Sequence, residues 1–140
     1  MDFFREIGKR AEDRNIFFCI EPLGRVETDF INTVAEAQQF IDDAGNPEGL
    51  GLHIDTKELI EENEINEPYL EESFAHAKHI HISEKDLVCP GSAGFNHSII
   101  SKRIKASGYS RFVSIEMRRV EGNVEGSIEQ AVEYVKKCYL

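Results

Sequence analysis

Apolar residues recur along the chain in two alternating rhythms. Phe3, Phe4, Ile7 and Ala11 fall at helical spacing within residues 2–14. Ile16-Phe17-Phe18-Cys19-Ile20 follows as an apolar run of strand length. A helix is predicted over 32–44, capped by Asp29 or Asn32 and ended by Gly45. Gly49-Leu50-Gly51-Leu52-His53-Ile54 reads as a second strand, with helices predicted near 57–62 and 67–76. His79-Ile80-His81-Ile82 is the third strand, and a loop holding Pro90, Gly91 and Gly94 leads to a helix near 97–107. Phe112-Val113-Ser114-Ile115 is the fourth strand, and Ile128, Ala131, Val132 and Val135 mark the last helix. One helix followed by four βα units is an α/β fold with a parallel four-stranded sheet and right-handed crossovers. Nothing in residues 1–140 breaks the pattern, so a single domain is expected. The loose repeat of about 30 residues is one βα unit, not a solenoid repeat.

Side chains alternate along a strand, which divides each strand into two faces. One face carries Phe18, Ile20, Leu52, Ile54, Ile80, Ile82, Val113 and Ile115, all apolar. That composition suits packing against covering helices. The other face carries Cys19 and Glu21, His53 and Asp55, His79 and His81, Ser114 and Glu116. So many polar groups in a buried layer must pair with one another or bind something.

The last residue of each polar set follows an isoleucine: Cys-Ile-Glu, His-Ile-Asp, His-Ile-His and Ser-Ile-Glu. In a parallel sheet these ends point one way, so Glu21, Asp55, His81 and Glu116 converge on the carboxyl rim, where α/β sites lie. Three crowded carboxylates raise one another's pKa values, and a divalent cation relieves the repulsion. Three oxygen donors and one nitrogen suit Mn²⁺, Mg²⁺ or Co²⁺, with Zn²⁺ also allowed.

Composition narrows the classes. The chain has 140 residues, 41% apolar and 30% charged, enough for a folded core. No segment approaches the roughly 18 apolar residues of a membrane span. The first residues lack a signal-peptide core, so a cytoplasmic location is expected. A net charge of −10 argues against a nucleic-acid partner. Cys19, Cys89 and Cys138 are odd in number and widely spaced, which gives neither a disulfide framework nor a zinc ribbon.

The stretches Ile20-Glu21-Pro22-Leu23-Gly24-Arg25-Val26-Glu27-Thr28, Leu52-His53-Ile54-Asp55-Thr56, His79-Ile80-His81-Ile82-Ser83-Glu84, Pro90-Gly91, Gly108-Tyr109 and Val113-Ser114-Ile115-Glu116 extend over almost the whole chain. In this order and spacing they resemble the xylose isomerase-like barrel superfamily, which includes ketose 3-epimerases, hydroxypyruvate isomerase, inosose dehydratase and endonuclease IV-type enzymes. The resemblance implies the carboxyl-terminal half of a TIM barrel, with Glu21, Asp55, His81 and Glu116 as metal ligands and Mn²⁺ as the expected ion. It implies that Glu21 and Glu116 also serve as acid/base groups, and that Arg25 and Glu27 bind substrate. The implied activity of the complete barrel is isomerisation or epimerisation of a small sugar or hydroxy-carbonyl compound through an enediolate. The alternatives are an endonuclease IV-type phosphodiesterase on abasic DNA and a non-catalytic half-barrel that oligomerises.

The chain departs from this pattern in three ways. Glu58 stands in Asp55-Thr56-Lys57-Glu58 where many relatives have a histidine, and Leu87 stands where ketose epimerases often have an arginine. The third is length, because a full barrel needs roughly 250 residues. Open sheet edges and an uncovered inner face predict a homo-oligomer or pairing with the missing amino-terminal half-barrel.

Other candidates have plainer expected roles. His53 and His79 are expected as interior hydrogen-bonded histidines, His76 as solvated, His97 as a neighbour of a helix cap and Cys19 as packing. Glu58, Glu61, Glu62 and Glu64 are expected to form a solvated acidic face. Lys57 is expected either near the metal as a charge partner or in water.

Overall fold

Helices and strands alternate throughout the computed structural model, which describes residues 1–140. The order is α1 (Asp2–Glu12), β1 (Phe18–Ile20), α2 (Val34–Asp43), β2 (Leu50–Asp55), α3 (Thr56–Glu61), α4 (Leu70–His76), β3 (His79–Ile82), α5 (Ser98–Ala106), β4 (Val113–Ile115) and α6 (Val124–Tyr139). Two 3₁₀ turns, Glu64–Asn66 and Lys85–Leu87, punctuate the loops. The strands form one parallel sheet in chain order, β1-β2-β3-β4. Each crossover is helical, as parallel pairing requires. No helix is long and apolar enough to cross a membrane.

The helix stripes explain the packing. In α6, Ser127, Ala131, Val135 and Tyr139 recur every fourth residue and are all buried. Val34, Ala37 and Ile41 of α2, Leu70 and Phe74 of α4, and Ile100 and Ile104 of α5 join Ile20, Leu50, Leu52, Ile54, Ile80 and Ile82 in one core. That core holds the helix-facing side of the sheet.

Three expectations need correction here. The cap of α2 is Thr33, not Asp29 or Asn32. The Thr33 hydroxyl accepts from the Glu36 N–H, and the Glu36 carboxylate accepts from the Thr33 N–H, a complete capping box. The strands β1 and β4 are shorter than their apolar runs, because each pairs on one side only. For the same reason the apolar face is not uniformly buried: Phe18 is 42% exposed, and Val113 and Ile115 are half-buried.

Register sets how the rim is built. Ile20 pairs with Leu52, Asp55 with His81, and His81 with Ser114. Glu21 is therefore level with His53, two residues below Asp55, and Glu116 lies two residues above the level of His81. The four strand-end residues climb obliquely across the sheet, as tilted barrel strands do.

Candidate metal centre

Asp55 is held by the ends of both central strands. It ends β2 and caps α3, its Oδ1 accepting from the Lys57 N–H at 2.7 Å and from the Ser83 hydroxyl. Thr56 and Ser83 clasp each other across β2 and β3. The Thr56 hydroxyl donates to the Ser83 carbonyl at 2.8 Å and accepts from the Ser83 N–H at 2.9 Å. The second Asp55 oxygen, Oδ2, is buried with no hydrogen-bond partner.

The imidazole of His81 stands at the middle of the rim. Its Nδ1 lies 3.0 Å from Glu116 Oε2, 3.6 Å from Asp55 Oδ2 and 4.0 Å from Glu21 Oε1. One ligand atom from each of Glu21, Asp55, His81 and Glu116 lies within 4.8 Å of the others. The structure thus brings together all four residues singled out in the sequence.

The electrostatics are those of crowded acids. Burial, reinforced by Asp55 and Glu116, pushes the Glu21 carboxyl up to about 7 against the pull of His81. Burial and the Asp55 charge also raise Glu116. Burial pushes Asp55 up as well, but the neighbouring His81 imidazole and the hydrogen bonds from Ser83 and the Lys57 N–H outweigh it and hold that carboxyl below its ordinary value. The nearby Asp55 carboxylate raises His81 despite its burial, with Glu116 adding to the effect. One firm anion therefore sits beside groups that retain protons readily. A cation would displace those protons, and the unpartnered Asp55 Oδ2 supplies a free oxygen for it. The donor set fits a divalent ion.

The other sequence candidates fall around this centre. Glu27 does not join the four but accepts from Lys57 Nζ at 2.6 Å. Arg25 turns away, its guanidinium pairing with Glu62 and lying 4.0 Å from Glu36. Lys57 is buried and bridges Glu27 and Glu58, with Glu61 at 3.4 Å, so it points neither to the metal centre nor to water.

The acidic run is not a solvated face. Glu58 is buried and accepts from the Gly24 N–H at 2.6 Å. Glu64 is buried, accepts from the Val34 N–H at 3.1 Å and receives the Tyr69 hydroxyl. Glu61 and Glu62 are half-buried. These carboxylates fasten the β1–α2 loop and the start of α2 to the layer formed by α3.

His97 also departs from expectation. It is fully buried, its Nε2 2.8 Å from Glu84 and its Nδ1 2.6 Å from the Tyr139 hydroxyl. Burial lowers the His97 pKa, opposed by Glu84. The Glu84 carboxylate also accepts from the N–H groups of Gly91 and Ala93, closing the loop after β3. Gly91 has φ +90°, and a Cβ there would lie 2.6 Å from the Tyr134 ring. His76 is exposed, as expected. His53 and His79 lie below the rim beside His81, with ring centroids 4.1–5.2 Å apart. Cys19 is half-buried beneath Glu21. Ser83 and Thr56 were not singled out in the sequence, and their position beside the rim residues is the only signal that marks them.

A family model described as the xylose isomerase-like TIM barrel matches residues 1–138. The chain belongs to that family. Among curated members, a probable ketose 3-epimerase of Synechocystis is 32% identical over 114 residues, 81% of this chain and 39% of that protein. A ketose 3-epimerase of Arthrobacter globiformis is 29% identical over 111 residues, 79% of this chain and 38% of that protein. Among solved structures, a 3-keto-D-glucoside 4-epimerase from E. coli superposes with TM-score 0.81 at 20% identity, over 98% of this chain and 52% of its own. A D-psicose 3-epimerase from Clostridium cellulolyticum, solved with D-tagatose, gives TM-score 0.74 at 22% identity, over 96% and 53%. This xylose isomerase-like chain is thus a partial barrel, spanning about half the length of the solved barrels and about two fifths of its curated relatives.

Proposed function

We propose that the chain is the carboxyl-terminal half of a metal-dependent sugar isomerase or epimerase, holding one divalent ion through Glu21, Asp55, His81 and Glu116. The observation that carries this reading is the unpartnered, buried Asp55 Oδ2 amid three other convergent ligand atoms. The kinship with ketose 3-epimerases supports a sugar substrate. Mn²⁺ is the favoured ion for this donor set. When bound, such an ion would chelate adjacent substrate oxygens and polarise the carbonyl.

The chain's own residues supply the proton chemistry. Glu21 is one acid/base carboxylate, and before a cation binds, burial raises its pKa to about 7. Glu116, also raised, is the opposite member of the pair. One removes the proton α to the carbonyl, and the other delivers a proton to the enediolate carbon. Asp55 stays ionised and holds the charge of the centre. Lys57 fixes the Glu27 carboxylate on the loop above β1, where it meets substrate hydroxyls. The ion pairs of Arg25 with Glu62 and Glu36 make it a brace of that loop, one step removed from the substrate role implied by the family resemblance.

The test is proton exchange with solvent. With Mn²⁺ and a ketohexose in D₂O, deuterium should enter the carbon beside the carbonyl. Glu116→Gln should slow this about 10²–10⁴-fold while circular dichroism stays unchanged. Unchanged exchange in that variant would overturn the acid/base assignment. The phosphodiesterase alternative is not favoured, because the curated relatives are epimerases and Glu58 occupies the place of a histidine.

A further inference from the structure

Beneath the rim lies a second group of ligand-type side chains made only of imidazoles. His53 and His79 face each other across β2 and β3, and His81 is two residues beyond His79 on the same face. One ring nitrogen from each lies within 4.8 Å of the other two. The three rings stand nearly edge to face, which leaves no stacked pair to fill the space between them.

Two observations distinguish this group from ordinary interior histidines. The first is an unmet bond. His53 is 8% exposed and its Nε2 has no hydrogen-bond partner. A buried imidazole nitrogen without a partner carries an uncompensated desolvation cost. The second is orientation. Nδ1 of the same ring faces Glu21 Oε2 at 3.4 Å. A carboxylate near Nδ1 favours a proton on that nitrogen, which puts the lone pair on Nε2. Metal-binding histidines are prepared in the same way, by a carboxylate on the nitrogen that does not ligate.

We propose that His53, His79 and His81 form a second cation site, distinct in chemistry from the rim. It takes a borderline transition ion such as Zn²⁺, Cu²⁺ or Ni²⁺, for which neutral imidazoles are favoured ligands. His81 belongs to both sites, and the rim residue Glu21 also faces His53. His81 Nδ1 faces the carboxylates, while Glu21 offers one oxygen towards His81 and the other to His53. An ion in the histidine site therefore draws two residues away from the rim, and the two sites bind competitively. Linkage requires each ion to weaken the other by the same factor. A mixed metal supply would hold the chain with its rim site impaired. Only the competition rests on the rim being a metal site.

Cu²⁺ added at one equivalent to the full chain provides the test, read by electron paramagnetic resonance with pulsed detection of coupled nitrogens. Three imidazole nitrogens are expected. His79→Gln should reduce the count to two and weaken Cu²⁺ at least tenfold while leaving Mn²⁺ binding unchanged. Mn²⁺ binding also reports that this variant is folded. His53→Gln should give the same loss of one nitrogen. Saturating Zn²⁺ should raise the Mn²⁺ Kd of the wild-type chain at least tenfold and have no such effect on His79→Gln. A Cu²⁺ spectrum with one nitrogen, unchanged in His79→Gln, would place the ion among the carboxylates and overturn the proposal. Simultaneous binding of Zn²⁺ and Mn²⁺ without mutual weakening would overturn the competition. Asp55→Asn separates this proposal from the rim reading: it should remove Mn²⁺ and leave three nitrogens on Cu²⁺.

Discussion

The two central strands and the two outer strands contribute equally to the rim but are built differently. Every residue of β2 is buried, and β3 is flanked on both sides. The strands β1 and β4 are three residues long, and each has one neighbour. The difference reaches the site. The side chain of Asp55, from the centre, is 3% exposed and held through Oδ1. The side chains of Glu21 and Glu116, from the edges, are 31% and 43% exposed. The centre thus supplies a fixed anion, and the edges supply carboxylates with room to exchange a proton. The division follows from strand order, because residues on flanked strands lose more water and more freedom.

The sharpest way to break this comparison is one truncation made in both places. Ile80→Ala, at the centre, should cost about 2–5 kcal/mol of unfolding free energy. Ile115→Ala, on the edge, should cost about 1 kcal/mol. Urea denaturation measures both, and equal costs would erase the distinction. Next in size is the support beneath Asp55. Ser83→Ala removes a donor to Oδ1 and should weaken Mn²⁺ about 10–100-fold. Isothermal titration checks this, and an unchanged affinity would show that Lys57 N–H alone suffices to orient the carboxylate.

A smaller effect concerns pH. The folded chain without metal holds Glu21 near pKa 7 against an ordinary 4.5, and raises His81 above 6.5. The folded state therefore binds more protons than the unfolded chain just above pH 6.5, and stability rises as pH falls. The melting temperature should climb from pH 8 to about 6.5. Below that, His53, His79 and His97, all lowered, oppose the rise because the unfolded chain takes up the extra protons, while Glu58, Glu64 and Glu116, all raised, continue it. Saturating Mn²⁺ should flatten the rise by keeping Glu21 ionised. A metal-free melting temperature independent of pH in this window would contradict the crowding. The smallest change in fold stability belongs to Phe112→Lys. Phe112 is 85% exposed beside β4, and its replacement should alter stability by no more than about 0.5 kcal/mol. It should nevertheless reduce self-association in sedimentation velocity, if the open edges drive assembly as expected.

The sequence made the sheet legible because its signal is local. The alternation of Ile54 with His53 and Asp55, or Ile80 with His79 and His81, is written within a few residues and survives in the structure. Convergence of the four strand ends followed from parallel topology alone. What stayed hidden depends on distant partners. Glu58 reads as a solvent residue until Gly24, 34 positions away, presents its N–H. Glu64 needs Val34, and His97 needs Glu84 and Tyr139, the latter 42 positions away. The Thr33 cap is a different kind of miss, because Thr33 and Glu36 already display a capping box in the sequence. The limited burial of Phe18 and Ile115 was illegible for a further reason. Periodicity identifies a face, but only strand order says whether that face has a neighbour.

The loop between β3 and α5 bears on how this protein opens and closes. Pro90, Gly91 and Gly94 give it the composition of a segment that frays independently. Yet Glu84 ties the Gly91 and Ala93 amides to a buried histidine, which in turn holds the end of α6 through Tyr139. Those two amides cannot exchange with deuterium unless that junction separates. In native-state hydrogen exchange they should move with the cooperative unit of the core, and slower than the amides of the β1–α2 loop. The segment richest in flexible residues would then be among the last to come loose.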